Sequence, residues 1–507
     1  MKQIKTYIMA LAGTCILGSC SDFLDITPQG ELTTDLYFSQ EERINEAVSR
    51  VYSSINWRFF RLGTMYFTTH EFPSDDVRMN TADANFLTAY NFQYDPNNVY
   101  VERLWERWYQ YINDCNQVLE LTKDYDDETA ALYNAQARFF RAYWHFDLMN
   151  VFGEVVLRDH VPAENEYNIP KSSEEDIYRL VISDLEYAIE HLPTRQEWGE
   201  ENLGRVTKGT AKGILAKVYL YRQDYENAYK YANEVVNVDH EYSLDPDYRN
   251  LFSIQGKYSS ESMMPGHYIY QNIEGRLRNP YVEFQGIPGS GLGSAYFVPS
   301  DEFVSAYEEG DPRKEATIFE KGETIEGYTG EITWLEEKDE AGNVVSEFNY
   351  ANKKVIWPAT QWPDNDFFKQ ELNLPFLRFA DILLVYAESA NELGKTTEAE
   401  DALEKVRFRA RGNQTYAEAG VLPEKRGLGK DALREIIWNE RRIELAFEGN
   451  RWFDLVRYEK VVPNYTTNLM HRKGRTNFDY AKHSKFPIPT YYITSSEGVL
   501  TQNPAWQ

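Results

Sequence analysis

Leu215, Ala216, Tyr219 and Ala228 follow a spacing that recurs downstream, where Tyr386, Ala387 and Ala399 take the places of Leu215, Ala216 and Ala228. In both stretches small residues fall where one helix has to approach another closely, and an Asp- or Gly-containing turn separates two helical runs. A helical hairpin of this kind cannot bury its apolar face alone, so a chain that repeats it has to stack the copies. That requirement dictates a mainly α architecture. Helical spacing extends well beyond the two hairpins. It links Ile44, Ala47, Val48, Val51 and Tyr52, and then Leu104, Trp108, Tyr111, Ile112, Cys115, Val118 and Leu119 within residues 101–122. Residues 129–150 read as the antiparallel neighbour of that helix, and 174–192 as another opened by Ser172 or Ser173, with Glu174 and Glu175 favouring its N-terminus. Further helices are expected at 376–393, 397–411 and 430–448.

The hairpin offsets are those of a tetratricopeptide repeat, which makes the expected fold a right-handed helical-repeat scaffold. Long loop-rich insertions interrupt it. Between about 240 and 370 glycine and proline cluster, as in Pro288-Gly289-Ser290-Gly291-Leu292-Gly293, and periodicity is confined mainly to 301–309. The same stretch carries Tyr268, Tyr270, Tyr281, Phe284, Tyr296, Phe297, Tyr328, Trp334, Trp357 and Trp362. Disordered segments are poor in such rings, so these are expected to be ordered loops. With aromatics at 15% of the chain, some ring surface is left over for a ligand.

At the N-terminus Lys2 and Lys5 precede an apolar run, Tyr7 to Leu17, too short to span a bilayer but suited to an export signal. Leu17-Gly18-Ser19-Cys20 resembles a bacterial lipobox, in which a small residue precedes the cysteine that is lipidated. The expected organisation is a signal peptide over 1–19, a lipidated tether over 20–34 with Cys20 as the lipid site, an N-terminal helical region over 35–240, and a C-terminal region over 241–507 that is loop-rich at 241–370 and helical at 376–457. A formal charge of −27 opposes nucleic acid and anionic headgroups alike, so a lipid chain rather than charge has to hold such a protein to a membrane.

Catalytic motifs are hard to find. None of the eight histidines has a partner one turn away with a glutamate between, so no zinc site is legible. The 286–293 stretch lacks the Gly-Lys-Ser/Thr of a phosphate loop and the third glycine of a dinucleotide fingerprint. No Gly-x-Ser-x-Gly elbow occurs, and Cys115 sits on an apolar helical stripe as a small core residue without a disulfide partner. Asp75 with Asp76, Asp364 with Asp366, and Asp124 with Asp126 and Asp127 are carboxylate clusters that suit sugar hydroxyls or calcium, but turns and solvated surface also use them. The densest charge motif runs from Glu440 to Leu455. Glu440 and Glu444 lie one turn apart beside the stripe of Leu433, Ile436, Ile437 and Phe447, so burying them requires planar arginine forks. Gly449 closes that helix, and Trp452 and Phe453 fold back on it.

At this motif the sequence resembles the SusD/RagB family of outer-membrane lipoproteins from Bacteroidetes. The resemblance rests on Ser21-Asp22-Phe23-Leu24-Asp25, on Ala137-Arg138-Phe139-Phe140-Arg141-Ala142-Tyr143, and on Phe152-Gly153-Glu154-Val155. It continues in Asp311-Pro312-Arg313, in Arg378-Phe379-Ala380-Asp381-Ile382-Leu383-Leu384, in the 440–455 motif, in Phe486-Pro487-Ile488-Pro489 and in Gln502-Asn503-Pro504. Val156 replaces a usual proline and Ala505 a common glycine, which bears on turn shape. The resemblance implies a cell-surface lipoprotein of the outer membrane with four tetratricopeptide-like helix pairs that is not an enzyme; no cofactor, metal ligand or catalytic residue is legible in the sequence, and calcium binding is left open. Its partners would be a SusC-like TonB-dependent transporter and an oligosaccharide or polysaccharide that the protein captures and delivers. A peptide or another nutrient taken through the same transporter, or a carboxylate-dependent glycoside hydrolase, are the alternatives. By position, the resemblance nominates Asp75, Arg78, Tyr94, Asn97, Asn98 and Tyr100 ahead of the 101–122 helix, and Tyr296, Phe297, Trp334, Trp357 and Trp362 around Asp311-Pro312-Arg313. Trp105, Trp108 and Trp144 lie on helical stripes and read as core.

Overall fold

Side-chain oxygens open several of the helices. In the computed structural model, which describes residues 41–55, 60–125, 127–266, 279–338 and 344–507, α1 (Glu41–Tyr52) and α2 (Phe60–His70) come first. The expected signal peptide, Cys20 and the tether lie outside the described residues, as do Tyr268 and Tyr270. Residues 47–507 form one compact unit, and of the unit before it, residues 1–46, only the start of α1 is described.

Asn98 accepts from the backbone N–H groups of Tyr100 and Val101 and starts α3 (Val99–Thr122), and Asp127 accepts from that of Ala130 and starts α4 (Glu128–Phe152). The two form an antiparallel hairpin. Trp105 meets Phe152 at 4.9 Å between ring centroids, and Tyr111 meets Trp144 at 5.1 Å further along. Cys115 is buried between them, and burial pushes its thiol well above the ordinary range. Ser173 accepts from the Asp176 N–H at 3.1 Å and opens α5 (Glu174–His191), whose first turn carries three acids against the positive helix end.

Two further hairpins follow the repeated spacing, α6 (Lys208–Tyr221) with α7 (Tyr225–Asn233) and α8 (Phe379–Glu392) with α9 (Thr396–Ala410). Ala216, Ala228, Ala387 and Ala399 are all fully buried, as close helix approach demands. Gln223 and Gly394 take left-handed φ values of 63° and 75° in the turns. The hairpins are joined where Tyr229 on α7 stacks on Tyr386 of α8 at 5.2 Å and both hydroxyls donate to one oxygen of Glu398. The helical part closes with α10 (Lys430–Glu444), α11 (Arg451–Val461) and α12 (Tyr465–Arg472).

Among the described residues, four two-stranded antiparallel ribbons tie parts of the loop-rich stretch together or to the rest of the chain. They pair β1 (Val77–Met79) with β3 (Phe297–Pro299), β2 (Ser262–Gly266) with β8 (Leu374–Arg378), β4 (Ile318–Glu320) with β7 (Tyr350–Asn352), and β5 (Glu336–Lys338) with β6 (Val344–Glu347). Isolated ribbons are marginal in water, so each depends on what it packs against. Two expected helix limits shift. The helix expected from 376 begins at Phe379, because the preceding residues pair with β2 as a strand. The helix expected to run to 448 stops at Glu444, whose carbonyl accepts from the Arg378 guanidinium and, at 3.0 Å, from the Tyr248 hydroxyl. Phe447 and Gly449 then adopt φ values of 61° and 77° and reverse the chain into α11. The periodicity at 301–309 yields only a short helix, Asp301–Val304.

Beneath the ribbons lies a buried lattice of ion pairs, and the arginine forks required by the 440–455 motif are its members. Glu440 pairs with Arg313 at 2.6 Å and accepts a hydrogen bond from Arg407 at 2.8 Å. Glu444 is held by Arg313, Arg378 and Arg409. Arg378 also reaches Glu261 at 2.7 Å and Glu448 at 2.8 Å, and Arg441 bridges Asp381 and Asp454 at 2.9 and 3.2 Å. Desolvated charges of this kind are tolerable only when each meets its counterpart with good geometry, so the lattice fixes the relative placement of segments remote in sequence.

Candidate functional surface

Two Asx caps set the first pair of rings. Asp83 accepts from the Asn85 N–H at 2.8 Å and opens the short helix Ala84–Tyr90, while Asn98, capping α3, donates to the Asn85 carbonyl at 2.9 Å. The two helix starts are thereby locked together, and Tyr100 stacks on Phe86 at 4.4 Å with an interplanar angle of 21°. The Tyr100 hydroxyl donates to Asp83 at 2.7 Å, and desolvation with the Asp83 hydrogen bond pushes the phenol up to about 12.

The β1–β3 pairing brings the second pair. Asn80 donates its backbone N–H to the Tyr296 carbonyl at 2.8 Å and its side-chain amide to that of Ala295 at 3.0 Å. Tyr296 leans on Phe86 at 5.4 Å and stacks on Phe284 at 5.1 Å, so four rings run in series: Tyr100, Phe86, Tyr296 and Phe284. The glycine turn holds this series from below. Ile287 N–H bonds the Leu292 carbonyl at 2.7 Å, and a Cβ on Gly286 would come within 1.9 Å of that same carbonyl oxygen, so only glycine fits there. Opposite Val298, Arg78 lies 4.1 Å above the Phe348 ring and donates to the Glu347 carbonyl at 2.8 Å. Trp334 packs against Ala295, Val298 and Phe348 and lies parallel to Phe319. Tyr100, Tyr296, Arg78 and Trp334 are each half-buried, which leaves one side of every group to the outside.

The other nominated residues are placed differently. Asp75 is buried, its carboxylate taken by Arg451 at 2.7 Å and Arg442 at 3.0 Å. Burial works to raise its pKa, but the two guanidiniums outweigh burial and hold the carboxyl well below the usual range. Asp76 pairs with Arg442 at 2.6 Å, so the Asp75-Asp76 cluster is part of the interior lattice. Tyr94 is buried against Phe486, and Phe297 is buried in β3. Asn98 spends its side chain on capping, whereas Asn97 is exposed. Trp362 is buried, donates to the Trp357 carbonyl at 2.9 Å and packs on Phe367 and Tyr328, while Trp357 faces the Arg249 guanidinium at 4.2 Å. These two tryptophans form a cluster of their own. The remaining carboxylate groups serve turns, with Asp366 and Asp127 as caps and Asp364 paired to Lys369; Asp126 lies outside the described residues.

Phe86, Asp83 and Phe348 were not singled out in sequence. An Asx residue just ahead of a short apolar run marks Asp83 and Phe86, but nothing local marks Phe348, which matters only because Arg78 and Trp334 meet on it. Among the described residues no group of three or more His, Cys, Asp or Glu is placed to hold a metal ion, and no helix is long and apolar enough to cross a membrane.

Comparison with known proteins covers nearly the whole chain. The model of the SusD family matches residues 222–506, and one described as starch-binding associating with outer membrane matches 22–220. SusD-like protein P2 of Formosa agariphila is 27% identical over an alignment covering 100% of both chains. Among solved structures, surface glycan-binding protein A from Bacteroides uniformis shares the fold with a TM-score of 0.74 at 24% identity, over 92% of this chain and 100% of the other. A laminarin-binding SusD-like protein does so with a TM-score of 0.71 at 23% identity, over 91% and 99%.

Proposed function

The chain belongs to the SusD family, and on that premise we propose that it is a cell-surface lipoprotein that captures an oligosaccharide or polysaccharide and delivers it to a SusC-like TonB-dependent transporter, without cleaving it. The observation that carries this reading is the ring series Tyr100, Phe86, Tyr296 and Phe284, with Arg78 and Trp334 beside it. A pyranose has an apolar C–H face and a polar rim, so the half-buried Tyr100, Tyr296 and Trp334, with the buried Phe86 and Phe284 behind the two tyrosines and hydrogen-bonding groups beside them, suit it. The caps, the β1–β3 ribbon and the glycine turn fix the rings before any ligand arrives, which lowers the ordering cost of binding. The names of the laminarin-binding and glycan-binding relatives point the same way. Lipid attachment at Cys20 would tether the protein to the outer membrane, and the helical hairpins would form a tetratricopeptide-like scaffold behind the ligand surface.

The test is a binding screen of the purified protein against plant, host and microbial polysaccharides, with products checked by chromatography. The reading expects retention by one glycan class, no new products, and at least tenfold weaker binding for Tyr100→Ala with Tyr296→Ala. Release of shortened products, or binding indifferent to both tyrosines, would refute it.

A further inference from the structure

The other face of α3 opens on a cavity of about 870 Å³, closed on its far sides by residues 156–169 and 492–500. That size is typical of ligand pockets, which run from about 300 to 1,000 Å³. It shares no lining residue with the Tyr100 and Tyr296 surface.

Its walls are built rather than accidental. Trp105, itself buried, backs Tyr109 at 5.0 Å and Tyr492 at 5.9 Å, and both tyrosines keep part of their surface open. The Tyr109 hydroxyl donates to the Val156 carbonyl at 2.9 Å, and the buried Asn116 amide donates to the carbonyls of Arg158 and His160, each at 3.0 Å. The Arg158 guanidinium donates to the carbonyls of Glu166 and Tyr167 at 2.6 and 2.7 Å, folding that wall back on itself. The wall is thus pinned to α3 at three carbonyls before anything binds.

The chemistry of the lining selects the ligand. Arg158 spends its donors on backbone, Arg107 donates to Gln110 at 2.6 Å, and Glu106 adds an opposite charge beside it, so no cationic site is offered to a phosphate or carboxylate. The remaining polar groups are neutral amides and hydroxyls, and the amides of Asn113 and Asn168 make no side-chain hydrogen bond among the described residues. Aromatic faces, unspent amides and arginines already engaged in hydrogen bonds match a neutral polyhydroxylated ring compound better than an apolar helix, an anion or a cation.

We propose that this cavity is a second, separate site for a neutral oligosaccharide, with Tyr109 and Tyr492 as stacking faces and Gln110, Asn113 and Asn168 binding hydroxyls. The proposal rests on the glycan-binding reading of the protein. A second site lets one chain hold two stretches of a polysaccharide, so that release from one leaves the ligand tethered by the other.

The test is calorimetric titration of the full chain in detergent with maltohexaose, cellohexaose, laminarihexaose and xylohexaose. Two sites per chain are expected for at least one of them. Tyr492→Ala with Asn113→Ala should weaken one site at least tenfold and spare the other, and Tyr100→Ala with Tyr296→Ala should do the converse. If the cavity pair lowers the melting temperature, Asn168→Ala, at an exposed position, makes the same comparison in an intact fold. A hexasaccharide whose every site survives the cavity variants and is lost with the surface variants overturns the second site and leaves the proposed function standing. Binding lost only with the cavity variants supports the cavity and removes the other surface from consideration. Absence of binding by all four sugars overturns both.

Discussion

Arg451 and Asp75 are 376 residues apart in the chain, and the Nε of one donates to the Oδ1 of the other across 2.7 Å. Arg442 takes the second Asp75 oxygen, Lys473 donates to the Asp75 carbonyl at 2.9 Å, and the Arg475 guanidinium reaches the carbonyls of Phe72, Pro73 and Ser74. The C-terminal part of the chain therefore grips residues 72–76, which lead directly into β1 and the half-buried Arg78.

Asp75→Asn should therefore be severely destabilising. It leaves the buried Arg451 with only the more distant Asp76, at 3.9 Å, as counter-charge, and removing one partner of such a pair costs about 3–5 kcal/mol. Urea denaturation of the variant checks this, and a loss under about 1 kcal/mol would show that the pair is dispensable.

Acid should release the lattice. Burial opposes ionisation of Asp381, but Lys217 and Arg441 outweigh it and lower its pKa from 3.8 to about 2. A depressed folded value means that the stabilisation is complete above the unfolded pKa and disappears as pH falls from about 4 through 2. Glu444, lowered by Arg409, Arg378 and Arg313 against its own burial, acts in the same direction. The urea midpoint should fall steeply below pH 4, and less steeply in Asp381→Asn.

Glu71 has the opposite sign. Burial, helped by Asp76, raises its pKa from 4.5 to about 8, so the folded protein holds a proton that the unfolded chain has released. Stability is then greatest below pH 4.5 as far as this group is concerned and declines up to about pH 8, with a slope of up to about 1.4 kcal/mol per pH unit. Glu71→Gln should match the wild type at pH 5 and exceed it at pH 9. Equal stability at both values would remove Glu71 from the account.

Gly286→Ala should disturb binding more than folding. Its Cβ would meet the Leu292 carbonyl oxygen at 1.9 Å and the Gly293 Cα at 2.6 Å, so the turn has to open. Overpacking of this kind costs about 1–3 kcal/mol. Because Ser294 and Ala295 donate to the Glu283 carbonyl beside Phe284 and Tyr296, the strain lands on the ring series. Glycan affinity should drop while the helical circular dichroism stays constant.

Cys115 should resist a thiol reagent in the native protein and react only as denaturant unfolds α3 and α4, since its thiol is both buried and held protonated. Rapid labelling without denaturant would contradict the packing of that hairpin.

Local periodicity and caps made the helices legible. The Leu104 to Leu119 stripe, Ser173 ahead of three acids, and the small residues of the hairpins all act within a few turns of themselves. What escaped was set from a distance. Leu374 to Arg378 is an apolar run whose period does not separate strand from helix, and β2 decides it. Glu444 ends α10 because Arg378 and Tyr248 claim its carbonyl. In the site, Tyr100 and Tyr296 were identifiable as loop aromatics, whereas Asp75 looks like a ligand acid until Arg442 and Arg451 are placed beside it. Phe86 and Phe348 gain their meaning only from the rings and the guanidinium that converge on them.

The grip of residues 442–475 on residues 72–76 also orders events in time. A ribosome finishes the acids long before it makes the arginines that neutralise them, so the segment carrying the ring series has no settled position until residues 442–475 emerge. A product cut short before Arg442 would be left with Asp75 and Asp76 facing no counter-ion and would be open to proteolysis. The lattice thus acts as a check on chain length, because only a polypeptide that reaches past residue 475 can fix the segment that carries the ring series.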